Sequence, residues 1–328
     1  MIGFGLQSFE KREIRLKKTT KLLAAAAWLI ATNLACAEVT AAFPGLYVDP
    51  QSSAAAWVRN NPGDQRAAEI AQYIASQPSA RWFGGWSGDI ASAVGQHVGN
   101  AAQAHRTPVM VAYNIPGRDC GQHSAGGERT MQAYQDWVHA FAQAIGERPA
   151  IVILEPDALP QLDCLDAQGK AERMQLLQYA VQAFYDLAPR TLLYIDIGNS
   201  DWLPPAEAAK RLLLAGVASA QGFSLNVSNY RADSESKAYG IAVGQALQAM
   251  TGLSKSFVVD TSRNGAGPHG KQWCDAAGRK LGQLPRIHGV GSQPEMTLWI
   301  KAPGESDGCA GPAGSFMPDL AYQLIGGH

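Results

Sequence analysis

The chain has 328 residues, 46% of them hydrophobic and 17% charged, with a formal net charge of −1. That balance lacks the basic footprint of a nucleic-acid binder, and the apolar share suits a chain that buries a large core. No Pro/Ser/Thr-rich linker, internal repeat or low-complexity run divides it.

In chain order, the first 37 residues read as a secretory leader rather than as part of a fold. Lys11, Arg12, Arg15, Lys17, Lys18 and Lys21 form a basic region. LLAAAAWLIATNL follows, an apolar stretch too short to span a bilayer. Ala35-Cys36-Ala37 then offers an A-x-A cleavage site. A retained membrane anchor is the alternative. The expected product is secreted, extracellular or periplasmic, after cleavage near Ala37, and makes no membrane contact. The leader holds six of the 27 Lys and Arg and two of the 28 Asp and Glu, leaving 21 against 26 and a formal charge of −5. Residues 38–328, roughly 290 in all, suit one large α/β domain, expected to act as a monomer.

Four cysteines remain: Cys120, Cys164, Cys274 and Cys309. None lies in a C-x-x-C pair, and an exported chain can hold disulfides. Three connectivities are open. Sequential pairing closes loops of 44 and 35 residues, each stabilising by roughly 3–4 kcal/mol on the chain-entropy account.

Apolar runs recur along the chain: TPVMVAYN (107–114), AIVILE (150–155), TLLYIDI (191–197), GFSLNV (222–227), SFVVDT (256–261) and TLWIKA (297–302). ARWFGGW, around Trp82, is a candidate earlier strand. Between them, GERTMQAYQDWVHAFAQAI spaces Met131, Tyr134, Trp137, Val138, Phe141 and Ile145 three and four apart, one apolar helix face. AERMQLLQYAVQAFYDLA and ADSESKAYGIAVGQALQAM behave alike. Strands alternating with helices, and apolar throughout, predict a parallel sheet covered on both faces. Either a β/α barrel or an open doubly wound sheet fits. No G-x-G-x-x-G follows the first strand, so the dinucleotide-binding reading loses its main support.

Polar residues gather where these runs end. VMVAYN leads to Arg118 and Asp119, and IVIL to Glu155-Pro156-Asp157. LLYI ends on Asp196, SLNV precedes Asn229, SFVV ends on Asp260, and TLWI ends on Lys301 with Glu305 and Asp307 beyond. In β/α folds the site lies outside the carboxyl ends of the strands. A single acid there is as often a helix cap; six strands ending so point to one cleft. Asp163 and Asp166 read as solvated loop acids, and Asp201 as a cap or surface charge. The histidines show no H-x-H or H-E-x-x-H, so no metal is expected. No G-x-S-x-G marks a serine nucleophile. Carboxylates with exposed aromatics remain: Trp82, Trp86, Tyr113, Trp202 and Trp273, whereas Trp137 and Trp299 read as core. Paired carboxylates, one protonated and one ionised, are the machinery of glycoside hydrolysis. The residues alone reach a secreted glycosidase without a cofactor.

VILEPDALP and VAYNIPGRDCGQHSAGG resemble the two signatures of glycoside hydrolase family 6, the inverting β-1,4-glucanases. YIDIGNSDWL, NVSNY, DTSRNGAGP, QWCD and WIKAPGESDGC follow in family order, from Pro44 to the C-terminus. The resemblance implies a distorted (β/α) barrel with about seven parallel strands and a cleft at their C-terminal ends. It makes Asp157 the general acid, Asp307 the base, directly or through water, and Asp119 a neighbour that raises the acid's pKa and helps order the attacking water. Trp82, Tyr113, Arg118, Trp202, Asn229, Trp273, Lys301 and Glu305 would bind substrate, and Asp196 and Asp260 would support the catalytic acids. It also favours the pairs Cys120–Cys164 and Cys274–Cys309. The partner implied is a β-1,4-glucan: cellulose, cello-oligosaccharides or mixed-linkage glucan.

Two positions depart from the pattern. Asn199 stands where many members carry His, and Ala125 where some carry a serine that holds the nucleophilic water, leaving Ser124 or a backbone carbonyl as substitutes. The loops after Asp119 and Asp307 are short, which predicts an open cleft and an endo-acting enzyme on soluble or amorphous glucan. The alternatives are a cellobiohydrolase working from chain ends, a non-catalytic glucan binder on the same scaffold, and a barrel enzyme with an oxygen-ligated metal at the Asp cluster.

Overall fold

The apolar runs form strands buried on both faces, which is why they carry no polar alternation. The computed structural model describes Phe43, residues 45–289 and residues 291–326, and the expected leader, residues 1–37, lies outside them. Among the described residues no helix is long and apolar enough to cross a membrane. One sheet contains β1 (Arg81–Phe83), β2 (Val109–Ala112), β3 (Ala150–Leu154), β4 (Thr191–Asp196), β5 (Gly222–Leu225), β6 (Ser256–Asp260), β7 (Arg286–Ile287) and β8 (Met296–Leu298). Its order is β1-β2-β3-β4-β5-β6-β8-β7. Every pairing is parallel except that of β7 with β8. Seven strands are therefore parallel, as expected. β7 is an addition: two residues are too few to show a period.

Helices complete the crossovers: α1 (Ser53–Asn60), α2 (Ala67–Ile70), α3 (Ile90–Gln103), α4 (Met131–Ile145), α5 (Ala167–Leu187), α6 (Pro205–Leu214), α7 (Asp233–Thr251) and α8 (Pro318–Ile325). Helices α3 to α7 each link two successive parallel strands. Their starts follow local chemistry. The side chains of Asp89, Thr130 and Asp166 accept the N–H three residues on, at 2.8, 3.1 and 2.8 Å. Such caps satisfy N–H groups that the helix cannot. Asp166 is exposed, as expected, and is a cap as well. On α4, Tyr134, Trp137, Val138, Phe141 and Ile145 are buried, with Met131 packed at the margin. Each such side chain contributes about 1.5–3 kcal/mol by leaving water.

Alternate strand residues point to opposite faces. Met110, Ala112, Val152 and Leu154 join the cluster beneath the helices. Val109, Val111, Tyr113, Ile151, Ile153 and Tyr194 join a second cluster on the other face with Val258, Met296 and Leu298. That face curls inward. The Ala80 N–H, just before β1, donates to the Trp299 carbonyl just after β8 at 2.8 Å. The Trp82 indole N–H donates to the Ile300 carbonyl at 2.7 Å. Loop contacts, not a ladder, close the curl, so the barrel is distorted. Trp137 and Trp299 are core, as the sequence predicts. All parallel strands deliver their C-terminal ends to one side.

Candidate active site

Strand β3 ends in two carboxylates that go separate ways. Glu155 and Asp157 both have left-handed backbone, φ 46° and 69°, a conformation that costs a non-glycine residue about 1 kcal/mol or more. Glu155 is buried; its oxygens accept the Asn114 N–H at 3.0 Å and the Ile115 N–H at 3.1 Å. It ties the end of β3 to that of β2. Asp157 turns into the cleft instead.

The segments that follow β2 and β3 are held by their backbones. The Asp157 N–H donates to Asp196 Oδ1 at 2.9 Å. Arg173 donates to the carbonyls of Pro116 and Gly117 at 2.9 and 2.8 Å. Arg211 donates to those of Leu159 and Pro160 at 2.9 and 3.1 Å. Both guanidiniums place their charge where backbone carbonyls would otherwise be orphaned. Asp163 stays mostly exposed, but it is paired with Arg211 at 2.7 Å and Lys170 at 3.6 Å rather than merely solvated.

Protons partition unevenly among the acids. Asp196 accepts from the N–H groups of Asp157 and Gly198 and from Ser224 Oγ at 3.0 Å. Burial pushes Asp196 up to about 7, against the pull of these donors. The Asp157 carboxyl takes no hydrogen bond among the described residues. Burial, then the like charges of Asp196, Asp119 and Asp307, push it well above the ordinary carboxylate range. Three donors favour the ionised form of Asp196 and none favours that of Asp157, so the proton belongs on Asp157.

Asp119 faces it from the β2 loop. Its backbone is left-handed, as is that of Cys120. Its carboxylate accepts the Ser124 N–H at 2.6 Å and the Gln161 amide at 3.2 Å. Arg118 lies over the rings of Trp86 and Tyr113, 5.0 and 4.9 Å from their centroids. Ala125 and Ser124 line the cleft beside Asp119.

Asp307 has the opposite environment from Asp157. Arg263 Nη1 lies 2.8 Å from Oδ2 and Lys301 Nζ 3.3 Å from Oδ1. The Asp275 N–H adds a third donor at 3.0 Å. Lys301 also donates to the Ser306 carbonyl at 2.9 Å. Asp260 is an organiser rather than a cleft residue: it accepts backbone N–H groups of Ser228, Ser262, Ile300 and Lys301. It thereby joins the ends of β5, β6 and β8. Glu305 accepts from Ser53 Oγ at 2.7 Å and borders the cleft.

The cleft measures about 1030 Å³. Trp86, Trp202 and Trp273 present open faces to solvent, 58, 39 and 42% exposed. Tyr113 differs from expectation: it is 5% exposed, its ring edge-on to Trp82 at 5.2 Å. The Trp82 ring is anchored by its N–H and half-buried. Asn199 Oδ1 accepts the Asp201 N–H at 3.0 Å, shaping the turn that presents Trp202. Asp201, expected as a cap or surface charge, pairs with Arg231. Asn229 accepts the Tyr230 N–H and lines the cleft.

Both sulfur pairs are sequential, Cys120–Cys164 and Cys274–Cys309. Among the described residues the grouping with metal-ligand spacing is His123 with Cys274 and Cys309, and those two sulfurs are already joined. Sequence reading missed Arg263, Asp275 and Arg173. Arg263 and Asp275 have their partners 31 or more residues away along the chain, and Arg173 has its shortest bonds to Pro116 and Gly117, 57 and 56 residues away, where no local pattern can show them.

With this geometry in place, comparison with known proteins is decisive. The model of glycosyl hydrolases family 6 matches residues 42–319. The chain belongs to that family. Among relatives of this family 6 hydrolase, Endoglucanase 1 of Streptomyces halstedii is 49% identical over 298 residues, covering 89% of this chain and 92% of that one. Endoglucanase 1 of Streptomyces sp. (strain KSM-9) is 46% identical over 275 residues, covering 83% and 76%. Among solved structures, the Mycobacterium tuberculosis endoglucanase Cel6, in complex with methyl-cellobiosyl-4-deoxy-4-thio-beta-D-cellobioside, superposes with a TM-score of 0.80 at 37% identity. It covers 86% of this chain and 96% of that one. The chain is a glycoside hydrolase of the cellulase type with the α/β barrel of its family.

Proposed function

We propose that this family 6 hydrolase is a secreted endo-β-1,4-glucanase that cleaves internal glucosidic bonds with inversion. The observation that carries the reading is a contrast within one cleft. Among the described residues the Asp157 carboxyl has no hydrogen-bond partner and is crowded by like charges; Asp307 is a carboxylate paired with two cations. The first holds a proton to give, and the second can receive one.

In the proposed step, Asp157 protonates the glycosidic oxygen as its bond to C1 breaks. A water attacks C1 from the opposite face of the ring. Its proton passes to Asp307, directly or through a second water. Asp119, which raises Asp157 by like charge, helps to order that water. Trp86, Trp202 and Trp273 offer apolar faces for sugar rings. Trp82, Tyr113, Arg118, Asn229, Lys301 and Glu305 fix hydroxyls and ring position around the break. Two supports favour a glucan cut internally. The three relatives described above, 37 to 49% identical, are named endoglucanases, one of them in complex with a cellobioside-type ligand, while relatives near 29% identity are named cellobiohydrolase or exoglucanase. The loops from Asp119 to α4 and from Asp307 to α8 are short. Cellulose chains, cello-oligosaccharides and mixed-linkage glucan are the proposed substrates.

Two readings on the same enzyme test this. On carboxymethylcellulose, viscosity is expected to fall steeply before many reducing ends appear. Steady cellobiose release with little viscosity loss would overturn internal cleavage. Proton NMR of cellopentaose during hydrolysis is expected to show the α-anomer at new reducing ends first; the β-anomer would overturn inversion. Residues 1–37 are proposed to be removed on export. Enzyme recovered from outside the cytoplasm should begin near Glu38, and an intact Met1 there would refute processing.

A further inference from the structure

Asp275 follows Cys274 in the long segment between β6 and β7, and its backbone is left-handed, φ 45°. Its carboxylate collects the loop that carries Asp307. Oδ1 accepts the Asp307 N–H at 2.7 Å; Oδ2 accepts Ser306 Oγ at 2.7 Å and the N–H groups of Cys309 and Ala310 at 3.0 and 2.8 Å. In return the Asp275 N–H donates to Asp307 Oδ2 at 3.0 Å. Each of the two acids thus receives the other's backbone N–H. The Cys274–Cys309 disulfide joins the same segments covalently beside this exchange.

We infer that Asp275 is a positioning residue that fixes the direction of the Asp307 carboxylate, an inference that rests on Asp307 being the base. The disulfide limits how far the loops separate. It does not set the rotation of the loop about Cys309, and four donors converging on one carboxylate do. Burial would raise the Asp275 carboxyl, but the N–H groups and the Ser306 hydroxyl outweigh it and hold it below the ordinary carboxylate range. The anion is therefore the form these donors require. An amide cannot replace it: whichever way Asn is turned, its NH₂ confronts a donor.

Asp275→Asn tests this through a split between turnover and binding. Turnover of cellopentaose is expected to fall on the order of 10²-fold, the cost of an ångström-scale misplacement. Cellotetraose binding by calorimetry should stay within about twofold, because the Trp202 and Trp86 platforms are untouched. A role confined to loop stability would weaken binding in step with turnover, through neighbouring Trp273, and that result overturns the inference. Wild-type turnover overturns it as well. Asp307→Asn separates the two readings. If it turns over normally, the reading of Asp307 as base has failed; if it is inactive while Asp275→Asn is normal, only the positioning role has failed. Should Asp275→Asn not fold, Ser306→Ala removes one donor and is expected to lower turnover severalfold at unchanged binding. Unchanged turnover in that variant overturns the inference.

Discussion

Asp157→Asn is expected to lower kcat on cello-oligosaccharides by about 10³-fold while leaving oligosaccharide binding nearly unchanged, the usual scale for loss of a general acid. The loss should depend on the leaving group. A dinitrophenyl cellobioside departs without a proton, so the variant should lose far less on it. Equal losses on both substrates would remove Asp157 from the acid's role. The pH profile follows from the direction of the shifts. As the proposed acid, Asp157 must be protonated to act, and burial with the like charges of Asp196, Asp119 and Asp307 raises it. Activity therefore persists above the ordinary carboxylate range and falls as pH rises through the raised value. Asp157 and Asp196 titrate as a pair, so that alkaline limb belongs to both. Asp196→Asn removes one like charge, which lowers the proton affinity of Asp157. The alkaline limb must then move to lower pH; a limb that stayed or moved up would contradict the coupling.

The parts of this site legible in the sequence are those with a local signature. Both faces of the sheet are buried, so each parallel strand announces itself as an apolar run and its tip as the first polar residue. Asp196, Asp260 and Lys301 follow from that rule, whereas Asp157 and Asp119 lie beyond the first polar residues, Glu155 and Asn114, and are marked by the signatures around them. Its limit is that a tip residue can turn either way. Glu155, two residues before Asp157, binds the neighbouring strand end instead of the cleft, and Tyr113 packs into the barrel. Glu155 and Asp157 share a left-handed φ, so backbone class does not separate these outcomes, and apolar periodicity does not encode them. Arg263 and Asp275 lie further out of reach. Their meaning comes from Asp307, 44 and 32 residues later, and a charged residue in an irregular loop carries no sign of such a partner. The family signatures propose an acid and a base; the groups that hold those two carboxyls in place appear only once the fold brings the loops together.

The two disulfides offer a test in which stability and chemistry part. Cys120–Cys164 closes 44 residues and Cys274–Cys309 closes 35. Loop-closure entropy varies slowly with length, so removing either by paired Cys→Ser substitution should cost about 4 kcal/mol of stability. Their effects on activity should differ in kind. Cys120 directly follows Asp119, and both hold left-handed backbone, φ 47° and 58°. Two such residues in succession persist only where the surroundings over-determine them. Freed of the bond to Cys164, this segment relaxes and Asp119 moves away from Asp157. A like charge that raises Asp157 is then weakened, so the alkaline limb should shift to lower pH along with a roughly tenfold fall in kcat. The Cys274–Cys309 pair borders Asp275 and Asp307 instead. Its loss should lower kcat and move the alkaline limb less, because Asp196 and Asp119, the larger of the like charges on Asp157, stay in place and only the smaller one, Asp307, is displaced. Measuring pH profiles of both double variants below their unfolding temperatures decides the matter. Identical profiles would mean that the bridges stabilise the chain without holding the acids, and the link between Asp119 and the proton on Asp157 would have to be given up.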